Sequence, residues 1–451
     1  MKKLETKDYK LVKVKDKQYV FLTGSQEVLE IQNPLLEEYF DSTCSWNENA
    51  THEEKFDKLT SALIAMRDNV HIREETETVP QQVMLTFNTT HACNMACRYC
   101  FAFTKEKHIE PMSIHVAEKA IKNLLKDFPN TKRYLFYFFG GEPLLCKDFI
   151  RETVRRIEER FKEYPGKDFA FLLNTNGLLL NDKDLLALFK EKDFTITISL
   201  DGPQEVNDQN RLLVSGQGSF KRIMANIELL RQANIKFNLR ATISPRNQNL
   251  LGTFQFFENL AIPYAYAFTI SANEKDESET KIDKRTWERM QVDYLQVFNF
   301  LTDKLLRKEE VFCMDFKQKL STLSQKTIRM HGCEAGRANF LVDEQGRYFA
   351  CQNMLPYQIT IGDIERGILL SKQDIYKSQF ILNLEKCQQC WARYLCGGGC
   401  QTERIHNAPS FMMHCKIHLL EWEQILAAYI KIKNRGYRRS RKGCQQGRRS
   451  W

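Results

Sequence analysis

No stretch of the 451-residue chain approaches the roughly eighteen consecutive apolar residues that a membrane-spanning helix needs. The opening MKKLETKDYKLVKVKDKQYV carries lysines but no apolar run behind them, so no secretory signal is expected and the expected location is the cytoplasm. Acidic residues are missing from Lys431 onward, where KIKNRGYRRSRKGCQQGRRSW holds nine Lys or Arg and no Asp or Glu. Those nine equal the whole net charge of +9, the difference between 66 basic and 57 acidic residues. The remainder is balanced, which argues against a nucleic-acid groove on the folded body; residues 431–451 read as a basic, disordered tail. With 43% hydrophobic and 27% charged residues, the composition is that of a globular protein of two or three domains.

Cysteine is not scarce: there are 14. In a cytoplasmic chain this points to metal or redox chemistry rather than to a disulfide framework. Cys44, Cys146 and Cys444 stand apart, and the first two read as small buried hydrophobes. Cys93, Cys97 and Cys100 in HACNMACRYC form C-x3-C-x2-C. Cys387, Cys390, Cys396 and Cys400 form C-x2-C-x5-C-x3-C, with Cys313, Cys333 and Cys351 before them and Cys415 after. Three crowded thiolates leave two readings. One is a structural zinc site completed by a residue such as His91. The other is a [4Fe–4S] cluster with three irons held by cysteine and the fourth free.

Residues 1–80 read as a separate unit: LVKV, QYVFL and VLEI as strands of a meander, NPLLEEYF and EEKFDKLTSALIAMRDNV as helices, REETETVPQQ as a linker. From 81 to 275 a rhythm sets in. VMLTFNT, RYLFYFF, DFAFLLNT, FTITISL, KFNLRATI and YAYAFTI are strand-like runs separated by helical segments. Such alternation predicts an α/β fold with a parallel sheet, a partial (β/α)6 TIM-like barrel with its functional residues at the C-terminal strand ends. Cys93 follows the first of these strands. Residues 276–430 form a bridging and cysteine-rich region, closed by the helix WEQILAAYIKIKNR.

The motifs after successive strands resemble those of the radical S-adenosylmethionine (SAM) family. After the first strand comes the three-cysteine motif with Tyr99, after the second FFGGEPLL, after the third NTNG and after the fourth ISLDGP. The resemblance implies a [4Fe–4S] cluster on Cys93, Cys97 and Cys100 whose free iron chelates SAM, which is cleaved to a 5′-deoxyadenosyl radical. It further implies that Tyr99 lies near the adenine and that Gly140, Gly141, Glu142 and Pro143 receive the methionine amino group. Asn176, Ser199, Asp201 and Arg211 would be further cosubstrate contacts.

The second cysteine group resembles the SPASM extension. This implies two auxiliary [4Fe–4S] clusters, three clusters in all. Cys387, Cys390, Cys396 and Cys415 would hold the distal one, and Cys333, Cys351 and Cys400 the proximal one. The proximal set lacks a fourth cysteine, so either Cys313 completes it or one iron stays open; Cys313 is the preferred ligand. A pair of zinc knuckles in a non-catalytic adaptor is the bland alternative. His331, His406, His414 and His418 are given no role, and Asp201, Asp343 and Glu344 read as turn residues.

SPASM proteins mostly modify peptides, and residues 1–80 resemble the winged-helix-like RiPP recognition element, which captures a leader peptide by adding it as a strand. The implied activity is that of a peptide maturase, introducing a thioether or a carbon–carbon crosslink into a ribosomally made precursor. An anaerobic sulfatase-maturase-like formation of formylglycine is the alternative. The implied partners are the precursor peptide and a low-potential donor, flavodoxin or ferredoxin, with no nucleic acid and no membrane.

Overall fold

The structure is a computed structural model, and it describes residues 4–32, 61–66, 79–100, 110–270, 280–408 and 410–440. The two helices expected before residue 80 fall largely outside these residues, only 61–66 being helical within them. The N-terminal meander is present as β1 (Tyr9–Val14), β2 (Lys17–Leu22) and β3 (Val28–Glu30), an antiparallel sheet in that order.

Six parallel strands then follow in chain order, as their rhythm predicts: β4 (Gln82–Asn88), β5 (Arg133–Phe139), β6 (Asp168–Thr175), β7 (Thr195–Ser199), β8 (Phe237–Ile243) and β9 (Tyr264–Phe268). Between them lie α1 (Ile114–Asp127), α2 (Lys147–Phe161), α3 (Lys183–Glu191), α4 (Gln204–Asn210), α5 (Phe220–Gln232) and α6 (Leu250–Leu260). Local chemistry sets the helix starts. Ser113 accepts from Val116 N ahead of α1, and Asp182 accepts from the amides of Asp184 and Leu185 ahead of α3.

Alternation along the strands decides which side chains face the helices. Val83, Leu85 and Phe87 of β4 are wholly buried, as are Tyr134, Phe136 and Phe138 of β5. Phe87 packs on Phe136, Phe138 and Phe149, and Phe194 stacks with Phe138 and Phe171. Each such ring contributes about 2–3 kcal/mol of burial. The intervening residues, Met84, Thr86 and Asn88 on β4 and Leu135, Tyr137 and Phe139 on β5, therefore point into the concave face of the partial barrel.

The C-terminal region extends the same sheet, which the sequence reading did not anticipate. After α7 (Lys284–Arg307) and α8 (Met314–Ser324), β10 (Asn339–Val342) pairs parallel to β4, and β11 (Arg347–Phe349), β12 (Gly362–Asp363) and β13 (Gly367–Ile368) add on antiparallel. The sheet thus has ten strands among the described residues. α9 (Leu370–Lys377) and a series of short turns lead to α10 (Phe411–Ser440). That last helix runs ten residues into the segment expected to be a disordered tail. The helical spacing of Trp422, Ile425, Leu426 and Ile430, all buried, carries it that far. Residues 441–451 lie outside the described part, as do Cys44 and Cys444.

The N-terminal sheet docks on this C-terminal region. Thr23 Oγ1 donates to Trp391 O at 2.9 Å, Asn434 Nδ2 to Tyr19 OH at 2.8 Å, and Phe21 meets the Trp391 ring edge-on at 6.1 Å. Among the described residues no helix is long and apolar enough to cross a membrane.

Candidate radical centre and auxiliary thiol sites

The loop after β4 carries Cys93, Cys97 and Cys100, and their thiols lie within electrostatic reach of one another. It is braced from two sides. On one side Gly141 N donates to Thr90 O and Glu142 N to Ala92 O, at 2.7 and 2.9 Å. Gly141 has to be glycine: a Cβ there would stand 2.3 Å from Ala92 O and 2.7 Å from His91 O. On the other side Ala96 N donates to Leu212 O, Arg98 N to Asn210 O, and Met95 bridges Leu213. Gly141→Ala is expected to push the cysteine loop out of place and to cut 5′-deoxyadenosine formation by about a hundredfold, a misplacement of reacting groups rather than a loss of fold. Comparing that rate with the iron retained by the auxiliary thiols checks it.

Glu142 is fully buried and accepts from Leu144 N at 3.1 Å, Thr175 Oγ1 at 2.8 Å and Asn176 N at 2.7 Å. Burial outweighs these donors and pushes its carboxyl up to about 7. Its side chain thus ties the end of β5 to the end of β6, and the backbone of Gly140 and Gly141 faces the cysteine loop. Asn176 Nδ2 donates to Asn94 Oδ1 at 2.7 Å and points at Cys93 Sγ at 3.7 Å. Asp201, wholly buried, accepts from Tyr99 OH at 2.6 Å, Arg211 Nε at 3.0 Å and Thr242 N at 2.9 Å. The Arg211 guanidinium lies over the Tyr99 ring and is the cation beside Cys97. Ser199 ends β7 and is buried. Gly140, Gly141, Glu142, Asn176, Asp201 and Arg211 are thus gathered around one loop.

Seven further thiols fall into two sets. Cys387, Cys390, Cys396 and Cys415 are electrostatic neighbours of one another. Cys333, Cys351 and Cys400 are neighbours in a second set. Gly397, Gly398 and Gly399, all at positive φ, make the turn that separates Cys396 from Cys400. A Cβ at Gly397 would stand 2.2 Å from His331 O. Arg404 lies near thiols of both sets.

Cys313, the preferred fourth ligand of the second set, sits at the junction of β9 and α8. It is buried at the start of α8, bridged to Tyr264 on β9, and its backbone N donates to Glu258. Its electrostatic neighbours are Asp315, Tyr264 and Lys319 rather than Cys333, Cys351 or Cys400. His414 and His418 are engaged by Glu403 and Glu421.

A test of fit comes from the thiols themselves. Burial pushes Cys93, Cys351 and Cys390 up to about 11 and Cys97 and Cys415 up to about 12. Thiolates in such places need a bound cation. Among the described residues no three His, Cys, Asp or Glu side chains converge closely enough to hold a single metal ion. Sets made of cysteine thiols are the donor chemistry of an iron–sulfur cluster.

A cavity of about 460 Å³ lies between the concave face of the barrel and the second thiol set. Met84, Thr86 and Tyr137 line it from the barrel, Lys319 and Trp422 from α8 and α10, and Cys333, Cys351 and Cys400, with Cys396 of the first-named set, from the far side. Two groups near these sites were not anticipated as partners. Glu344, carried beside β4 by β10, lies 3.4 Å from His91 Nε2 and accepts from Asn88 Nδ2 at 3.2 Å. Lys319, partly buried, pairs with Glu421 at 2.8 Å.

A parallel β/α barrel that presents three thiols beyond its first strand, backed by two further thiol sets, defines a cluster-dependent enzyme of the radical-generating class. Residues 87–249 match the Radical SAM superfamily, and the chain is a radical SAM enzyme with a SPASM-type C-terminal domain. It is 25% identical over 347 residues to the cysteine-type anaerobic sulfatase-maturating enzyme of Clostridium novyi (strain NT), spanning 72% of this chain and 90% of that protein. It is 24% identical over 323 residues to the serine-type anaerobic sulfatase-maturating enzyme of Klebsiella aerogenes, spanning 68% and 77%. Among solved structures, native anSMEcpe with bound AdoMet superposes with a TM-score of 0.66 at 20% identity, over 78% of this chain and 99% of that one. Its complex with the Cp18Cys peptide gives 0.65.

Proposed function

We propose that this enzyme modifies a cysteine-containing peptide, forming a thioether, and that Cys93, Cys97 and Cys100 hold the SAM-binding cluster. Cys387, Cys390, Cys396 and Cys415 would hold a distal auxiliary cluster, and Cys333, Cys351 and Cys400 a proximal one. When bound, the first cluster and SAM supply a 5′-deoxyadenosyl radical that abstracts a hydrogen atom. The chain's own residues do the positioning. Gly140, Gly141 and Glu142 fix the cysteine loop, Asn176, Ser199, Asp201 and Arg211 shape the cosubstrate side, and the barrel lumen shields the reacting carbon from water.

One observation supports the thioether reading: Cys333, Cys351 and Cys400, which border the 460 Å³ cavity beside Cys396 of the other set, are a group of three thiols rather than four. The proximal set therefore leaves room for a thiol supplied by the peptide. The N-terminal sheet supports a leader-binding role. β3 is an edge strand, able to accept another strand in the manner of β-augmentation. Formylglycine formation is the second reading, favoured by the likeness to sulfatase-maturating enzymes. A carbon–carbon crosslink is the third.

Mass spectrometry of cysteine-containing candidate peptides after anaerobic turnover separates them. A thioether removes two hydrogens and leaves a sulfur that no longer alkylates. Formylglycine from cysteine loses the sulfur and gives an aldehyde that reacts with hydrazides. A carbon–carbon link loses two hydrogens and keeps the thiol free. Retention of an alkylatable thiol in every product would refute the thioether.

A further inference from the structure

A sulfur that ends up bonded to carbon has to lose its proton first, and the cavity wall contains a group built to receive one. His418 of α10 lines the cavity together with Trp422, one turn further along the same helix. It therefore borders the same space as Cys333, Cys351 and Cys400. The volume of that space, about 460 Å³, is toward the low end of ligand pockets, so a cysteinyl group inside it comes close to the wall. The His418 side chain is 38% exposed, whereas the Glu421 carboxylate beside it is 2% exposed. Glu421 Oε2 lies 2.9 Å from His418 Nδ1 and accepts from Lys319 Nζ at 2.8 Å. Its Oε1 accepts from Tyr266 OH at 2.9 Å and also from Tyr294 OH.

This buried network fixes the state of the imidazole. Against the cost of its burial, Lys319 and then His418 hold the Glu421 carboxyl well below the usual carboxylate range, so it stays ionised and can only accept. The hydrogen of a neutral His418 is therefore on Nδ1, and Nε2 carries the lone pair. Among the described residues no other group bonds to Nε2, which leaves it to the cavity. A base aligned by a third group in this way is the arrangement that activates nucleophiles on unrelated folds. The surrounding charge suits it as well. Asp315 of α8 also lines the cavity and accepts from Tyr266 N at 2.9 Å. With Glu421 it sets two carboxylates against the single ammonium of Lys319, so an imidazolium at 418 is balanced rather than repelled. Burial pushes the hydroxyls of Tyr266 on β9 and Tyr294 on α7 up, which keeps both neutral. Arg329, the other cation bordering the cavity, donates to Gly332 O beside Cys333.

We propose that His418 is the catalytic base of this cavity: its Nε2 takes the proton from the thiol of the substrate cysteine, and Glu421 is the positioning residue that aligns the imidazole. The S–H bond breaks heterolytically. Its electron pair stays on sulfur as the thiolate, the proton becomes the second N–H of the imidazolium, and no electron is exchanged in the step. The inference rests on the thioether reading given above.

The test uses the full-length, anaerobically reconstituted protein with SAM present and no reductant, titrated calorimetrically with acetyl-cysteine-amide. Each titration is run in two buffers of different ionisation enthalpy, which counts the protons released. A free thiol titrates at about 8.5, so between about pH 7 and 8 the probe arrives protonated. In the unsubstituted protein the proton passes to His418 and stays on the protein, so no release to the buffer and a flat affinity are expected over that range. His418→Gln keeps a side chain that can donate to Glu421 but has no base. There the probe is expected to release about one proton to the buffer and to gain about tenfold in affinity per pH unit. Release of a proton by the unsubstituted protein would overturn the proposal while leaving the thiol site in place. So would a His418→Gln protein that matches the parent, or one that binds more weakly without releasing a proton, since the thiol would then be held intact. Loss of about four irons in His418→Gln would overturn it too, by making His418 a cluster ligand. No binding of the probe by the unsubstituted protein would remove the thioether reading and the base together.

Discussion

Replacing Cys93, Cys97 and Cys100 together by alanine is expected to remove roughly four of some twelve irons and to abolish 5′-deoxyadenosine formation. The expectation follows from the separation of the thiols. The first set lies in the loop after β4 and is braced by backbone from 140–142 and 210–213, whereas the other two sets lie in the SPASM-type region beyond α8. Nothing in the first loop supplies a ligand to the auxiliary sets, so their iron should survive. Iron analysis and the electron paramagnetic resonance of the reduced protein read the two populations apart. Loss of all iron in the triple variant would sink the three-site assignment. Survival of SAM cleavage would sink the role of the first loop.

Much of this arrangement was legible in the sequence because the barrel strands are long and uniform. RYLFYFF and DFAFLLNT carry aromatic and aliphatic side chains on both faces, and the structure assigns strands to those same residues. The motif loops were legible for the same reason, each sitting at the end of such a strand. Short elements were not. β12 and β13 are two residues each, held by Gly362 in a conformation that leaves little periodicity to read. β11, three residues ahead of Cys351 that pair with β10, is likewise too short to show a period.

Cys313 shows the limit more sharply. The sequence offered Cys313 as the fourth proximal ligand but could not show that it is buried. Its backbone is fixed by Glu258 and by the bridge to Tyr264, and its thiol is enclosed on the β9 side. Glu344 was legible only as a turn residue for a related reason, its partners His91 and Asn88 coming into view once β10 lies beside β4. A single charged residue in or beside a strand has meaning only once the neighbouring strands show what it faces.

Asp201→Ala is expected to destabilise the protein by about 3–5 kcal/mol and to silence SAM cleavage, because it leaves a buried cation without its partner. Arg211 is almost wholly enclosed, and Asp201 is its ion-pair partner at 3.0 Å. The same carboxylate holds the Tyr99 hydroxyl at 2.6 Å, one residue before Cys100, and the Thr242 amide at 2.9 Å. One side chain therefore joins the ends of β7 and β8 to the cysteine loop. Two consequences can be told apart. If the lost stability comes from the orphaned guanidinium, combining Asp201→Ala with Arg211→Met should return a large part of it, since the two sites are directly coupled. The double variant should nonetheless stay inactive, because Tyr99 and residues 210–213 have lost the carboxylate that aligns them with Cys97 and Cys100. Denaturant unfolding of the single and double variants, run beside the 5′-deoxyadenosine assay, decides the matter. An Asp201→Ala protein as stable as the parent would mean that water, not Asp201, neutralises Arg211. A double variant with restored turnover would mean that the network stabilises the barrel without positioning the radical chemistry.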